Sequence, residues 1–204
     1  MDSLKHLQQL FKRFPGIGER QAMRFAYFVA TADEGYIRDL SARIAEIRKS
    51  VRRCARCYAL SENISGSLCP VCNDPARDKG MLLVVEKDAD RERFVQSRAY
   101  PGTYFLLGGL APAIEKDTAA HIRIEELARL VQKESGEKLR EVIIALSATP
   151  DGDRTEALLM SRLEKLGLSG VAVSVLGKGL STGTEIEYSD ANTLSNAFKT
   201  RTTL

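Results

Sequence analysis

Four cysteines fall within nineteen residues, as Cys54-Ala55-Arg56-Cys57 and Cys69-Pro70-Val71-Cys72. Two C-x-x-C pairs separated by eleven residues can present four thiolates to one tetrahedral ion. Zinc suits such a set, because it accepts four sulfurs without demanding redox chemistry. Four protein ligands leave no open position, so the expectation is one structural zinc per chain. The chain's two histidines, His6 and His121, are far away in sequence. The rival readings are two disulfides, a redox C-x-x-C and an iron–sulfur cluster. Disulfides need an oxidising compartment, and the N-terminal residues lack the uninterrupted apolar core of a secretory signal.

A second chemical signal is Phe14-Pro15-Gly16-Ile17-Gly18, set between two helical patterns. Two glycines around one apolar residue permit a tight turn whose amides no side chain shields. Those amides, with the start of the following helix, can hold a phosphate, while Ile17 points inward to lock the helices together. Lys12, Arg13, Arg20 and Arg24 surround the turn. The pattern resembles a helix-hairpin-helix element, which grips DNA backbone without reading sequence. An ordinary helix–turn–helix corner, with glycines for steric reasons, would read the same way. The expected DNA contacts are Lys12, Arg13, Gly16, Gly18, Arg20 and Arg24.

The third signal is acidic. Glu86 follows the apolar run Met81 to Val85, and Asp151-Gly152-Asp153 follows the run Val142 to Leu146. In a parallel sheet both would gather at the carboxyl edge, where such sheets place their sites. One Glu and a D-x-D pair can hold Mg²⁺ through oxygen ligands. The same acids can equally be loop residues and helix caps, since Asp favours helix starts.

The elements that would position these groups follow from periodicity. Residues 3–14 read as a helix with Leu4, Leu7, Leu10, Phe11 and Phe14 on one face, and a second helix runs from about Glu19 to Ala30. A third, Asp33 to Arg52, places Ile37, Leu40, Ile44, Ile47 and Val51 in a heptad rhythm that suits packing against another helix, in this chain or a second copy. Strands at Met81 to Val85, Tyr104 to Leu107, Val142 to Leu146 and Val171 to Leu176 alternate with helices at Ile122 to Lys133 and Arg154 to Leu166. That alternation predicts a mainly parallel sheet with crossover helices. A short final helix spans Asp190 to Lys199, with Leu194, Ala197 and Phe198 inward.

The chain has 204 residues, 44% hydrophobic and 28% charged, with a formal charge of +3. This composition excludes a wholly disordered chain. No apolar run approaches the roughly 18–20 residues of a membrane span, so the default expectation is a cytoplasmic protein. Residues 1–80 carry 14 Lys/Arg against 9 Asp/Glu, whereas residues 81–204 carry 16 against 18. A basic front suggests that any polyanion contact lies toward the N-terminus.

Taken in order, hairpin, four-cysteine knot, Glu-ended strand and D-x-D resemble the RecR family of recombination mediators. The resemblance also covers Asp78 to Glu86, Pro101 to Gly109, Glu141 to Ala145, Gly179-Leu180, Gly183, Glu187-Tyr188, Asp190, Thr193-Leu194 and Arg201. It implies a multidomain α/β protein: a helix-hairpin-helix region (1–53), a four-cysteine zinc finger (54–77), a Toprim domain (78–176) and a C-terminal Walker B-like segment with a helix (177–204). It further implies a non-enzymatic role in DNA repair, with RecO or RecF as partner, in which a RecA-type recombinase replaces single-strand-binding protein. Homo-oligomers, a dimer or a tetrameric ring, are implied as well. By resemblance, Glu86, Asp151 and Asp153 form an acidic partner-docking surface.

Two features depart from the family pattern. Phe105 stands where a histidine is usual, and Asp151-Gly152-Asp153 replaces an E-G-E-like element. The latter keeps an alternative open: a Mg²⁺-dependent Toprim nuclease with Glu86 as general acid/base and Asp151 and Asp153 as metal ligands. A zinc-bearing scaffold that never touches DNA is the third reading.

Overall fold

A computed structural model describes residues 2–112, 122–180, 182–183 and 185–201. His121, and residues 181, 184 and 202–204 of the C-terminal segment, lie outside the described residues. The chain divides into two units, Met1–Arg52 and Arg53–Leu204.

The first unit is helical: α1 (Asp2–Phe11), α2 (Glu19–Thr31) and α3 (Glu34–Ser50). Ala22 and Ala26 of α2 are wholly buried. Their small side chains let α1 approach, and Phe11 packs edge-on against Phe25 with ring centroids 5.7 Å apart. Phe14 and Leu10 are not part of that interior: they are 54% and 45% exposed. The reason for Phe14 is that α1 ends at Phe11, so Phe14 sits in the turn rather than on the helical face. Asp33 caps α3 by accepting from the Tyr36 amide at 3.1 Å. No residue of α3 is buried, and Ile44 and Ile47 of its heptad stripe stay exposed.

The second unit opens with a ribbon, β1 (Arg52–Arg53) against β2 (Leu60–Ser61), followed by the short helix α4 (Pro70–Asn73). Next come β3 (Asp78–Val85), α5 (Asp88–Ser97), β4 (Gly102–Leu106), α6 (Ile124–Glu134), β5 (Glu141–Ala145), α7 (Pro150–Glu164) and β6 (Ala172–Val175). A 3₁₀ turn (Ile186–Tyr188) and α8 (Ala191–Lys199) complete it. The sheet is parallel throughout, in the order β4-β3-β5-β6. From β3 the chain crosses to β4 on one side and later returns to β5 on the other. The switch point of this doubly wound arrangement therefore lies between β3 and β5.

The continuous apolar strands are explained by burial on both faces. Leu82, Val84, Phe105, Leu107, Val142 and Ile144 pack with Leu127 and Val131 of α6 and Leu159 and Leu163 of α7. Leu83, Val85, Tyr104 and Leu106 face the other way and pack with the four cysteines, Ala59 and Tyr100. Each fully buried Leu or Phe contributes about 1.5–3 kcal/mol relative to exposure. The cysteine knot thus serves as one layer of the domain, where a doubly wound fold would otherwise need more helix.

Helix α5 was not expected from the sequence, because its exposed polar positions leave little apolar periodicity; only Arg91 among its residues is buried. Helix α7 starts at Pro150, earlier than the apolar pattern suggests, so Asp151 and Asp153 stand in its first turn. Phe198 of α8 is 70% exposed rather than inward. Among the described residues no helix is long and apolar enough to cross a membrane.

Candidate functional site

In the first unit the hairpin is built by turns that the sequence dictates. The Ile17 amide donates to the Phe14 carbonyl at 3.1 Å, and Gly16 takes φ +75°, a conformation that a side chain would strain. Ile17 is half-buried. Gly18 stands at the N-cap of α2 and offers no side chain to its first amides. Those amides are left for an outside acceptor such as a phosphate oxygen. Arg13, Arg20 and Arg24 carry the positive charge around the turn, and the last two are exposed and share a face of α2, four residues apart. Lys12 differs from the other three cations. Its ammonium lies 2.7 Å from Glu19 and holds that carboxyl below its ordinary value. Glu19 is the one acid in the first turn of α2, so Lys12 cancels a charge that would repel an anion there.

In the second unit Cys54, Cys57, Cys69 and Cys72 are buried, and their sulfurs all lie within 4.8 Å of one another. Thiolates at the usual zinc–sulfur distance of about 2.3 Å around a tetrahedral ion sit about 3.8 Å apart. Cys57 Sγ and Cys69 Sγ are 3.7 Å apart, so the donor set fits a tetrahedral thiophilic ion. The Cys69 amide points at Cys54 Sγ at 3.3 Å.

The knot is fastened to the sheet. The Leu106 amide on the edge strand β4 donates to the Cys57 carbonyl at 2.9 Å, and the Leu60 amide donates to Asp88 Oδ1 at 2.8 Å. Tyr58 packs edge-on against Phe105 at 5.5 Å and lies beneath the Arg123 guanidinium. Phe105 is therefore a core residue. Arg56, between the first two cysteines, forks onto Glu134 of α6 with two bonds of 2.8 Å and reaches Thr103 Oγ1 at 3.1 Å. Burial works against the Arg56 charge, but the Glu134 bonds outweigh it and its pKa lies above the ordinary value.

Glu86 and the D-G-D acids stand at the carboxyl edge of the sheet, after β3 and β5. Ser147 donates its hydroxyl to Glu86 Oε2 at 2.7 Å, a bond that spans the switch point. Thr149 caps α7 by accepting from the Gly152 amide at 3.2 Å. A Cβ on Gly152 would overlap the Ser147 carbonyl oxygen, so the middle residue of D-G-D has to be glycine. Asp153 pairs with Lys178 at 2.7 Å, and Lys178 also reaches Glu156 at 3.2 Å. The Asp153 bond raises the Lys178 pKa. Among the described residues the four cysteines are the one His/Cys/Asp/Glu set with ligand atoms that close together; Glu86, Asp151 and Asp153 do not make a second. A cleft of about 700 Å³ adjoins this edge, lined among others by Thr149, Pro150, Asp153, Lys178, Asp190 and Thr193.

Sequence reasoning missed Arg56, Ser147 and Lys178. Arg56 had a signal, being enclosed by two of the cysteines. The other two are brought in by the fold from positions that no spacing marks.

A parallel switch-point sheet with acids at its carboxyl edge, beside a four-cysteine knot, defines the class: a Toprim-type α/β protein. A Toprim domain family model matches residues 80–177, and a model described as RecR, C-terminal, matches residues 179–202. Among curated relatives, Recombination protein RecR of Bifidobacterium longum subsp. infantis is 35% identical over 199 residues, 98% of this chain and 95% of its own. The Porphyromonas gingivalis protein of the same name is 33% identical over 192 residues, covering 94% and 88%. That of Lactobacillus helveticus is 32% identical over 201 residues, covering 98% and 97%. The chain belongs to the RecR family of recombination proteins.

Proposed function

We propose that the protein is a non-catalytic, DNA-binding recombination mediator that holds DNA backbone through the Phe14–Gly18 hairpin. One observation carries the DNA contact: α2 begins on a side-chain-free cap, its first-turn acid is neutralised by Lys12, and Arg13, Arg20 and Arg24 surround it. Such a surface neutralises phosphates and reads no base. The four cysteines hold one structural zinc. The Glu86, Asp151 and Asp153 edge serves as a docking surface for a basic face of a RecO- or RecF-type partner. Through that contact the protein helps load a RecA-type recombinase on single-stranded DNA occupied by single-strand-binding protein.

The non-catalytic reading is supported by Asp153 being engaged by Lys178 and by the spread of the three carboxylates. Exposed Ile44 and Ile47 on α3, and Ile186, Tyr188 and Phe198 near the C-terminus, support a homo-oligomer. We place the protein in the cytoplasm.

The test is fluorescence anisotropy with labelled DNA of unrelated sequences across a salt series, run beside a Mg²⁺-dependent cleavage assay. Binding that is sequence-indifferent and falls steeply with salt, with no cleavage, is expected. No binding at low salt would favour the scaffold reading. Robust cleavage lost in Asp153→Ala would favour the nuclease.

A further inference from the structure

Arg91 is a buried cation that the DNA contact does not use. It lies on α5, is 8% exposed, and no carboxylate among the described residues forms an ion pair with it. Its Nε is buried without a hydrogen-bond partner. Its guanidinium meets a sulfur and an aromatic ring. Nη2 points at Cys69 Sγ at 3.9 Å, and the guanidinium lies over the Tyr104 ring, 5.8 Å from its centroid.

A buried guanidinium without a counter-charge is costly, because burial disfavours any unpaired charge. Four neutral thiols would leave it unpaired. A divalent ion held by four thiolates leaves two negative charges in excess, which is the anion this site otherwise lacks. Arg56 also approaches the centre, with Nη1 3.9 Å from Cys72 Sγ, but its charge is already shared with Glu134. Among the described residues Arg91 has no such competitor.

We infer that Arg91 is a positioning residue of the metal centre: a cation supplied by helix α5, outside the cysteine knot, that offsets the charge of the metal–thiolate group. The inference rests on the zinc reading above. It also gives α5 a second anchor on the knot, beside the Leu60–Asp88 bond. Metal occupancy thereby holds the helix that begins two residues after Glu86. Outer-sphere partners of this kind alter metal affinity by roughly 10- to 100-fold.

The experiment measures zinc affinity by competition with a chromophoric chelator, and sulfur-to-metal charge-transfer bands after cobalt substitution. It compares the parent, Arg91→Met, Arg91→Lys and Arg77→Met. Arg77 is the control: it stacks on the same Tyr104 ring, but its charge is answered by Asp74 at 3.9 Å. The parent is expected to bind one zinc. Arg91→Met should bind it roughly 10- to 100-fold more weakly with shifted cobalt bands, Arg91→Lys should recover most of the loss, and Arg77→Met should match the parent. A parent that binds no zinc overturns the zinc reading itself. A parent that binds zinc while Arg91→Met binds equally well overturns the role of Arg91 alone, as does an equal loss in Arg77→Met. Should Arg91→Met fail to fold, Arg91→Gln stands in, keeping a donor without the charge; parent-like affinity in that variant overturns the role.

Discussion

Arg56 and Glu134 are joined by two charge-assisted hydrogen bonds of 2.8 Å, although 78 residues separate them in sequence. Their side chains are 16% and 21% exposed, so water screens the pair only partly. Removing one partner leaves a poorly solvated charge behind. Glu134→Ala is expected to lower unfolding stability by about 2 kcal/mol, less than for a fully buried pair. Chemical denaturation in the presence of zinc measures it. Cys57→Ser should be more damaging, because the proposed zinc replaces core there; a parent-like melting curve for that variant would count against a structural metal.

The hairpin cations should not contribute equally. Replacing Arg13, Arg20 and Arg24 together by Ala is expected to weaken DNA binding alike for unrelated sequences. It should also flatten the salt slope by about 0.7–0.9 for each phosphate no longer neutralised. Lys12→Ala acts through the freed Glu19 charge, so Glu19→Gln in the same chain should restore most of the loss. Anisotropy at several salt concentrations distinguishes these cases, and an unchanged slope in the triple variant would move the DNA interface elsewhere.

Gly152→Ala tests the acidic edge without touching a charge. A methyl group there collides with the Ser147 carbonyl, and Ser147 is the residue that holds Glu86. The variant is expected to lose stability and partner association together while DNA binding through the first unit persists. Glu86→Gln, which keeps the Ser147 bond and drops the charge, should weaken partner association alone. Pull-down with a RecO-type partner, beside a thermal melt, separates the two effects.

A pH dependence follows from Glu125 on α6, which accepts from Arg162 on α7 at 2.7 and 2.8 Å. That hydrogen-bonded pairing holds the Glu125 carboxyl below its ordinary value of 4.5. A carboxylate with a lowered folded pKa stabilises the fold above its unfolded pKa and loses that contribution as the pH falls through the folded value. The parent should therefore exceed Glu125→Gln by a small constant margin from pH 7 down to about 5, and the margin should shrink below about 4.5. Unfolding midpoints at pH 7, 5 and 3.5 check this; a margin that grows on acidification would contradict it.

Much of this protein is legible in local pattern. Four cysteines at two C-x-x-C spacings need no tertiary knowledge, because ligand geometry is set within each pair. The apolar runs at Leu82 to Val85 and Val142 to Ala145 announce strands covered on both faces, and alternation with helices announces parallel pairing. Helix α5 escaped because one buried residue in ten leaves no period to read. What the sequence could not carry is the meeting of residues from distant elements. That Arg56 is answered by Glu134 while Arg91 lies beside Cys69 Sγ, that Ser147 bridges to Glu86, and that Lys178 takes up the charge of Asp153 all depend on strand order. Strand order is decided by how both sheet faces are covered at once, a long-range packing condition that no window of sequence contains.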